Sequence, residues 1–246
     1  MNNTGKYKYK PVLFFALAYL FTWIFWIPAI FLPESISPLL MLIGLMAPAV
    51  VSTVFIMVSR SDTLKQDFKN KIIYYETSRG CPFSCSYCLS SVDKCLRFRD
   101  LELVKKELKF FIDEEVPQVK FVDRTFNCKH SHAMEIWRFL MEHDKGITNF
   151  HFEVAADLLN EEELQLISQM RPGLIQLEIG VQSTNEETIK EIRRTMKFSE
   201  VAKIVNRINQ GGNVHQHLDL IAGLPYEDLA TFQKSFDDVY RLYPEQ

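Results

Sequence analysis

The sequence predicts an α/β protein: a partial (β/α) barrel preceded by a two-helix transmembrane hairpin. Two long uncharged apolar runs open the chain, and from Ile72 onwards short β-rich segments alternate with longer amphipathic ones. Three of the five cysteines fall between Cys81 and Cys88, directly after the first β-rich segment. Alternating strands and helices are typical of a parallel sheet, whose strand-end loops collect at one rim.

The composition excludes several classes of protein. The chain is 47% hydrophobic with only 9 Gly and 10 Pro in 246 residues, which excludes collagen-like and disordered chains. The formal net charge is -3, so no nucleic-acid partner is predicted. An odd number of cysteines, five, argues against a disulfide framework and favours metal or redox chemistry in a reducing compartment.

The two apolar runs are long enough to cross a membrane. Pro11 to Pro33 and Ser35 to Ser59 contain no charge, apart from Glu34 between them. A helix needs about 20 apolar residues to span the hydrocarbon core, which predicts spans at about residues 12–33 and 38–58. Positive charges flank the pair on its outer sides, at Lys6, Lys8, Lys10, Arg60, Lys65, Lys69 and Lys71. This pattern predicts a membrane protein with both termini and the soluble domain in the cytoplasm.

An alternative is that the first run is a signal peptide. Its length, its aromatic content and the lack of a small-residue cleavage site argue against that interpretation. Pro48 lies inside the second span, where a neighbouring group must satisfy the carbonyl that proline leaves free.

The organisation follows from these patterns: a hairpin over residues 1–59, a polar linker over 60–71 and a soluble core over 72–246. The predicted strands are Ile72–Glu76, Val119–Asp123, Asn149–Val154, Leu174–Gly180 and Val214–Ile221. The predicted helices run from Asp100 to Glu114, His132 to Glu142, Asn160 to Gln169, Asn185 to Arg194, Ser199 to Gln210 and Asp228 to Leu242.

The loop after the first strand contains the candidate metal ligands. Cys81, Cys85 and Cys88 stand four and three residues apart among Gly, Pro and Ser, which lets three thiolates face one centre. Thiolates suit iron–sulfur clusters or zinc; a structural zinc site wants four ligands, whereas a cluster held by three leaves one metal open. Cys128 or His130 is the candidate fourth ligand, and three unliganded buried cysteines are the remaining alternative.

The motif Cys-x-x-x-Cys-x-aromatic-Cys after a first strand resembles the radical S-adenosylmethionine (SAM) superfamily. Four later segments are similar to that family's strand-end motifs, in order: Val119–Phe126, Phe150–Glu153, Leu177–Ser183 and Asp219–Pro225. The resemblance covers residues 72–246 and is greatest to the branch with a cobalamin-binding domain and to coproporphyrinogen-dehydrogenase-like enzymes. It implies a radical SAM-type barrel with about five of six βα units.

The resemblance also implies cofactors and roles for particular residues. The three loop cysteines would ligate a [4Fe-4S] cluster whose open iron takes the SAM amino and carboxylate groups, for reductive cleavage to a 5'-deoxyadenosyl radical. Tyr87 would lie against the adenine, and Glu153 would bind the ribose hydroxyls. The remaining implied SAM contacts are Asp123 and Arg124 near the ammonium, Gln182 and Arg194 near the carboxylate, and Asp219, Ile221 and Gly223 around the adenine and ribose. A ferredoxin or flavodoxin would donate the electron to act on an unknown substrate.

The hairpin resembles the N-terminal membrane helices of the CAAX-prenyl-protease and bacteriocin-processing family. The Glu-Glu-x-x-x-Arg motif of that family is missing, since the pairs Glu114-Glu115 and Glu186-Glu187 lack the arginine. Protease activity is therefore not predicted.

Two readings of the whole chain stay open at this point. One is a membrane-tethered radical SAM enzyme whose core is truncated at its C-terminal end, because only five strands are readable. The other is a catalytically inactive membrane-anchored fusion or gene fragment, because two partial resemblances meet near Lys71.

Overall fold

The computed structural model describes residues 11–33, 36–54 and 68–246. The chain divides into two compact units, Met1–Asp67 and Phe68–Gln246. Most of the predicted linker, and residues 55–58 of the second predicted span, lie outside the described residues.

The first unit is a helical hairpin. Helix α1 covers Pro11–Phe31, α2 covers Ser37–Leu45, and helical residues 47–54 (α3) follow a turn at Met46. The stretches Leu13–Phe31 and Ser37–Val54 are long and apolar enough to cross a membrane, and only 11% and 17% of their residues are buried. A core helix of a soluble protein would be mostly buried, so this exposure favours lipid-facing helices.

The two sides of the hairpin meet at Gly44. A Cβ on this residue would lie 2.5 Å from the Trp26 ring, so only glycine permits this approach. The Trp26 indole donates a hydrogen bond to the Met41 carbonyl over 3.1 Å. The Thr22 hydroxyl lies 3.2 Å from the Gly44 carbonyl, the group that Pro48 leaves without a helical donor. This contact supplies the neighbouring group that a proline at this place requires.

The second unit is built on a parallel sheet of five strands in the order β1-β4-β5-β6-β7, which confirms the predicted α/β class. The strands are β1 Ile72–Tyr75, β4 Gln118–Phe121, β5 Asn149–Val154, β6 Ile175–Gln182 and β7 His215–Leu220. A two-stranded antiparallel ladder, β2 Ser78–Arg79 with β3 Arg97–Phe98, lies apart from this sheet. The helices are α4 Leu101–Asp113, α5 His130–His143, α6 Glu161–Ser168, α7 Glu186–Glu191, α8 Phe198–Asn209 and α9 Leu229–Tyr240.

The two faces of the sheet differ in chemistry. One face carries fully buried side chains such as Phe121, Phe150 and Leu177, which belong to the hydrophobic core together with residues of α4, α5 and α8. Side chains alternate across a strand, so the residues between them face the opposite, concave side. That side carries polar residues, among them Lys120 and Glu178, and it positions the candidate site.

Local capping explains where the helices begin. The Asp100 carboxylate accepts a hydrogen bond from the Leu103 amide at the start of α4. Asn160 and Glu163 form a capping box on α6, each side chain bonding the other residue's backbone amide. Both helices begin where the sequence predicts.

Several boundaries differ from prediction by one to three residues, and three of these differences lie near the candidate site. Strand β4 ends at Phe121, so Asp123 lies in the following loop, and β6 runs on to Gln182. Helix α7 ends at Glu191, because the backbone turns into the left-handed region at Arg193, with φ of 56°. The last residue, Gln246, bonds β7 on its outer edge: its carbonyl accepts from the Leu218 amide over 3.0 Å.

Candidate functional site

The carboxyl ends of the strands surround a cavity of about 260 Å³. Loop residues from the cysteine segment form one wall, and residues of β5, β6 and β7 form the others. The lining includes Cys81, Cys85, Tyr87, Cys88, Arg124, Thr125, Glu153, Glu178, Gly180, Gln182, Arg194 and Asp219.

The ladder between β2 and β3 holds the two ends of the cysteine loop together. Gly80 turns the chain into the loop with φ of 97°, and a Cβ there would overlap the Cys95 carbonyl. The Cys81 amide donates to the Asp93 carbonyl over 2.9 Å, and the Ser86 amide donates to the Ile192 carbonyl over 2.9 Å. Backbone contacts therefore fix the loop on both sides.

The three thiols fit an iron–sulfur cluster better than a zinc ion. Cys81 and Cys85 are each 8% exposed, and Cys88 is partly exposed. Among the residues that the structure describes, no three His, Cys, Asp or Glu side chains could hold a single metal ion. A cluster differs because its cysteines bind separate irons, and thiolates are its usual ligands.

The candidate fourth ligands lie elsewhere. His130 does not line the cavity, and its Nδ1 lies 3.0 Å from the Glu163 carboxylate. Cys128 is half-buried and does not line the cavity. Burial raises the pKa of the Cys128 thiol, and the nearby Cys81 and Asp123 raise it further. A raised pKa opposes the thiolate form that a metal ligand needs.

Arg194 joins the cysteine loop to β6. One guanidinium nitrogen donates to the Tyr87 hydroxyl over 3.1 Å and lies 4.0 Å from Cys85 Sγ, while another donates to the Gly180 carbonyl. Burial raises the pKa of Tyr87 to about 12, so its hydroxyl stays neutral. A Cβ at Gly180 would overlap the Gln182 amide, so glycine makes room for both polar side chains.

Two buried polar atoms at this place have no hydrogen-bond partner among the described residues: Gln182 Oε1 and Arg194 Nε. An unpaired buried polar atom costs about 1–3 kcal/mol, so native structures rarely leave one without a ligand or water. Gln182 Oε1 can accept a hydrogen bond, as an ammonium group requires, and Arg194 Nε can donate one, as a carboxylate requires.

Three carboxylates, those of Glu153, Glu178 and Asp219, also line the cavity. Glu153 of β5 lies beside Glu178 of β6, and Asp219 of β7 pairs with Gly180 of β6. Burial raises the pKa of Glu153, and the neighbouring Glu178 raises it further. Burial alone would raise the pKa of Glu178 as well, but the hydrogen bond from Lys120 over 2.8 Å lowers it. Burial also raises the pKa of Asp219, and His217 opposes that shift from 3.1 Å.

Asp123 lies outside the cavity, which does not fit the predicted contact with a SAM ammonium. Its side chain is fully buried, and it accepts hydrogen bonds from the Thr77 hydroxyl over 2.8 Å and from the Ser78 hydroxyl over 2.6 Å. The Thr77 amide donates to the same carboxylate over 3.1 Å. Burial raises the pKa of Asp123 although these donors oppose the shift. Asp123 thus fastens the beginning of the cysteine loop to the end of β4.

The structure brings together nine of the twelve predicted site residues, which all line the cavity: Cys81, Cys85, Tyr87, Cys88, Arg124, Glu153, Gln182, Arg194 and Asp219. Asp123, Ile221 and Gly223 do not line it. Gly223 has φ of 84°, which accounts for glycine, but a Cβ there would meet nothing within 4 Å.

Sequence reasoning missed Glu178. Its position could have been found from the two-residue alternation of a strand, because Gly180 and Gln182 follow it on the same face. Thr125 was also missed; its hydroxyl lies 4.0 Å from Cys81 Sγ.

Known proteins resemble this chain in sequence and in fold. The family model of the Radical SAM superfamily matches residues 75–239. The chain is 26% identical over 167 residues, 65% of its length, to a 2-(S-pantetheinyl)-carbapenam-3-carboxylate methyltransferase of Streptantibioticus cattleyicolor, of which it covers 24%. It superposes on the radical S-adenosylmethionine methyltransferase TsrM from Kitasatospora setae, solved with cobalamin and a [4Fe-4S] cluster, with a TM-score of 0.62 and 17% identity. That superposition covers 74% of this chain and 34% of TsrM.

A further relative belongs to a different class of protein, the prenyl proteases. The chain is 41% identical over 73 residues, 28% of its length, to CAAX prenyl protease 2 of Methanococcus maripaludis, of which it covers 27%. This similarity supports in part the resemblance noted for the hairpin. The chain spans about a quarter of the length of these curated relatives.

Replacing Asp123 by alanine tests its role as the anchor of the cysteine loop. The Asp123→Ala variant removes the carboxylate that accepts from three buried donors, and we expect the free energy of unfolding to fall by about 3 kcal/mol. Urea unfolding of the full chain in detergent measures the change. The exposed Asp113→Ala variant is the matched control and should unfold close to wild type, so equal unfolding curves for the two variants would contradict the anchoring role.

Proposed function

Because the chain belongs to the radical SAM superfamily, we propose that it binds a [4Fe-4S] cluster through Cys81, Cys85 and Cys88 and S-adenosylmethionine in the adjoining cavity. One observation carries the proposal: three thiols, two unpartnered polar atoms and three carboxylates converge on a single cavity. When bound, the cluster supplies the electron that cleaves SAM reductively to a 5'-deoxyadenosyl radical.

Arg194 and Gln182 would bind the amino-acid end of SAM. Arg194 Nε would donate to the carboxylate and Gln182 Oε1 would accept from the ammonium, which pairs both buried atoms. The amino-acid end of SAM would then lie next to Cys85, which is 4.0 Å from the Arg194 guanidinium.

The nucleoside would extend along the cavity toward the Glu153 carboxylate. Glu153 is ready to accept hydrogen bonds from the ribose hydroxyls, because its carboxylate has no cation bound to it in the described residues. The neutral Tyr87 phenol would face the adenine, with Arg124 and Asp219 completing the pocket. The low exposure of Cys81 and Cys85 would keep water away from the reacting centre.

The finer organisation is also part of the proposal. The hairpin over residues 1–59 would span the membrane, the linker would cover 60–71, and the radical SAM core would occupy 72–246 in the cytoplasm. An electron donor such as a ferredoxin or flavodoxin would reduce the cluster. The relatives that support this proposal are enzymes, which favours an active protein over an inactive fusion.

Anaerobic reconstitution with iron and sulfide tests the cluster. We expect a brown chain with about four irons, since three cysteines hold one cubane with an open iron. Each of the single changes Cys81→Ala, Cys85→Ala and Cys88→Ala should abolish the chromophore.

The Cys95→Ala variant is the matched control, because Cys95 is exposed and outside the cavity; it should keep its iron. A colourless chain that binds zinc would contradict the proposal. So would a brown chain that releases no 5'-deoxyadenosine from SAM after reduction with dithionite.

Glu153→Gln separates ligand binding from folding. Burial raises the folded pKa of Glu153, so the ionised carboxylate disfavours the folded state once the pH rises above the unfolded value of about 4.3. The cofactor-free variant should therefore be more stable than wild type at pH 8 and equal to it at pH 3. Loss of charge-assisted hydrogen bonds should weaken SAM binding about tenfold.

Thermal unfolding at the two pH values and equilibrium dialysis with SAM measure these effects. The Glu142→Gln variant, exposed on α5, should change neither quantity. A Glu153→Gln chain with unchanged SAM affinity would remove Glu153 from the binding site.

Fusions to reporter proteins test the membrane topology. Green fluorescent protein at the C-terminus should fluoresce, and alkaline phosphatase at the same place should be inactive, because the phosphatase needs disulfides that form outside the cytoplasm. Phosphatase fused after residue 35, between the two spans, should be active. The opposite pattern would contradict a cytoplasmic core.

A further inference from the structure

The backbone makes a sharp turn at Gln182, the last residue of β6. Its φ is 70°, in the left-handed region, and the Ser183 amide donates to the Val181 carbonyl over 2.9 Å. A hydrogen bond between residues two apart, around a residue of positive φ, makes a γ-turn of the rare and strained kind. The pairing of β6 with β7 shifts at the same place, between Gly180 and Gln182. Strained residues of this sort persist only where the surrounding structure holds them, and they cluster at functional sites.

The turn determines where the Gln182 side chain lies. A Cβ on Gly180 would lie 2.2 Å from Gln182 Nε2, so the side chain folds back onto its own strand over this glycine. Irregular pairing at the end of a strand re-aims side chains in this way. Gln182 lines the cavity, and its Oε1 is buried without a partner in the described part of the chain. The position of the proposed acceptor for the SAM ammonium therefore depends on the backbone of one strained residue.

Glu227 holds the residue that follows the turn. It lies in the loop between β7 and α9, and its Oε1 accepts a hydrogen bond from the Ser183 hydroxyl over 2.7 Å. A carboxylate is a stronger acceptor than a neutral oxygen, and Ser183 is fully buried, so water does not compete for this bond. The Ile221 amide, just after β7, donates to the Gln182 carbonyl over 3.0 Å. The segment that follows β7 thus holds the turn at two points.

Two further side chains fix the loop that carries Glu227. Asn185 Nδ2 donates to the Tyr226 carbonyl over 2.9 Å, and the Thr188 hydroxyl donates to the Pro225 carbonyl over 2.9 Å. Glu227 Oε2 is buried and has no hydrogen-bond partner among the described residues. Burying an oxygen without a donor opposes folding, so stability alone does not account for a glutamate at this position.

We propose that Glu227 is a positioning residue for SAM binding: through Ser183 it holds the turn that presents Gln182 Oε1 to the ammonium group. The inference rests on the proposed function, because it requires SAM in the cavity. Glu227 does not line that cavity, so it would act on SAM affinity without touching the ligand.

Equilibrium dialysis of SAM with the reconstituted full chain tests the proposal through matched variants. Glu227→Leu removes the acceptor, and we expect SAM affinity to fall about tenfold. Glu227→Gln keeps an oxygen that can accept from Ser183, so its affinity should stay within about threefold of wild type. Glu142→Leu, exposed on α5, is the control and should bind SAM as wild type does.

A double-mutant cycle shows whether the bond itself carries the effect. Ser183→Ala removes the donor of the same bond, so it should lower SAM affinity by a factor similar to that of Glu227→Leu. The double variant should then bind SAM no more weakly than Glu227→Leu alone, because two changes that remove one interaction do not add.

Hydrogen exchange in the cofactor-free chain, measured by NMR, separates a local role from a general loss of stability. If Glu227 holds the turn, Glu227→Leu should speed the exchange of the Ile221 amide about tenfold, because its acceptor is the Gln182 carbonyl. The Phe150 amide is bonded to the Leu174 carbonyl over 2.8 Å at the start of β5, and it should be much less affected.

Four results would each overturn the inference. The first is wild-type SAM affinity in Glu227→Leu, and the second is an equal loss of affinity in Glu227→Gln. The third is additive losses in the double-mutant cycle, and the fourth is equal acceleration of the Ile221 and Phe150 amides. Failure of the proposed function is distinguishable, because the wild-type chain would then bind no SAM, which rejects both proposals. Wild-type SAM binding with any of the four results rejects the positioning role alone.

Discussion

The parallel pairing of five strands in chain order is the constraint on which the candidate site depends. It sets Glu153 beside Glu178 and Glu178 beside His217, and it brings every strand-end loop to one rim. A slip of one residue in any strand would move its polar side chains into the apolar core and its apolar ones onto the concave face. The core under the helices and the polar side chains on the opposite face are therefore two consequences of one register.

The cysteine loop needs a second constraint, since loops follow no strand register. Asp123 provides it by accepting from the Thr77 amide and from the hydroxyls of Thr77 and Ser78, just before the loop turns at Gly80. Arg194 fixes the other side by bonding the Tyr87 hydroxyl. Both contacts join residues far apart in sequence, so the positions of the three thiols depend on the completed fold and on few local preferences. The buried Asp123 carboxylate and the Arg194 guanidinium thus position the cysteine loop from its two sides.

Periodicity and motif spacing were sufficient for the architecture, and nine of the residues that they named line the cavity. All five strands of the sheet were predicted within two residues at either end, because their apolar alternation is strong and polar loops bound them. The membrane-length helices and the cysteine loop were also predicted. Asp123 was misjudged because its sequence position after a strand suggests a rim residue, whereas only the structure shows Thr77 and Ser78 closing over it. The adjacency of Glu153 and Glu178 could not be seen from the sequence, since it depends on which residues of different strands lie in register. The early end of α7 depends on the left-handed backbone at Arg193, for which the sequence gives no signal.

The measurement that tests the central claim most directly is the electron paramagnetic resonance spectrum of the reconstituted, dithionite-reduced chain, recorded with and without SAM. If three cysteines hold a [4Fe-4S] cluster with an open iron beside Gln182 and Arg194, the reduced cluster gives a signal whose g-values change when SAM is added, and the Arg194→Ala variant loses the change but keeps the signal. A signal that SAM leaves unaltered in the wild-type chain, or the lack of any cluster signal, would contradict the account.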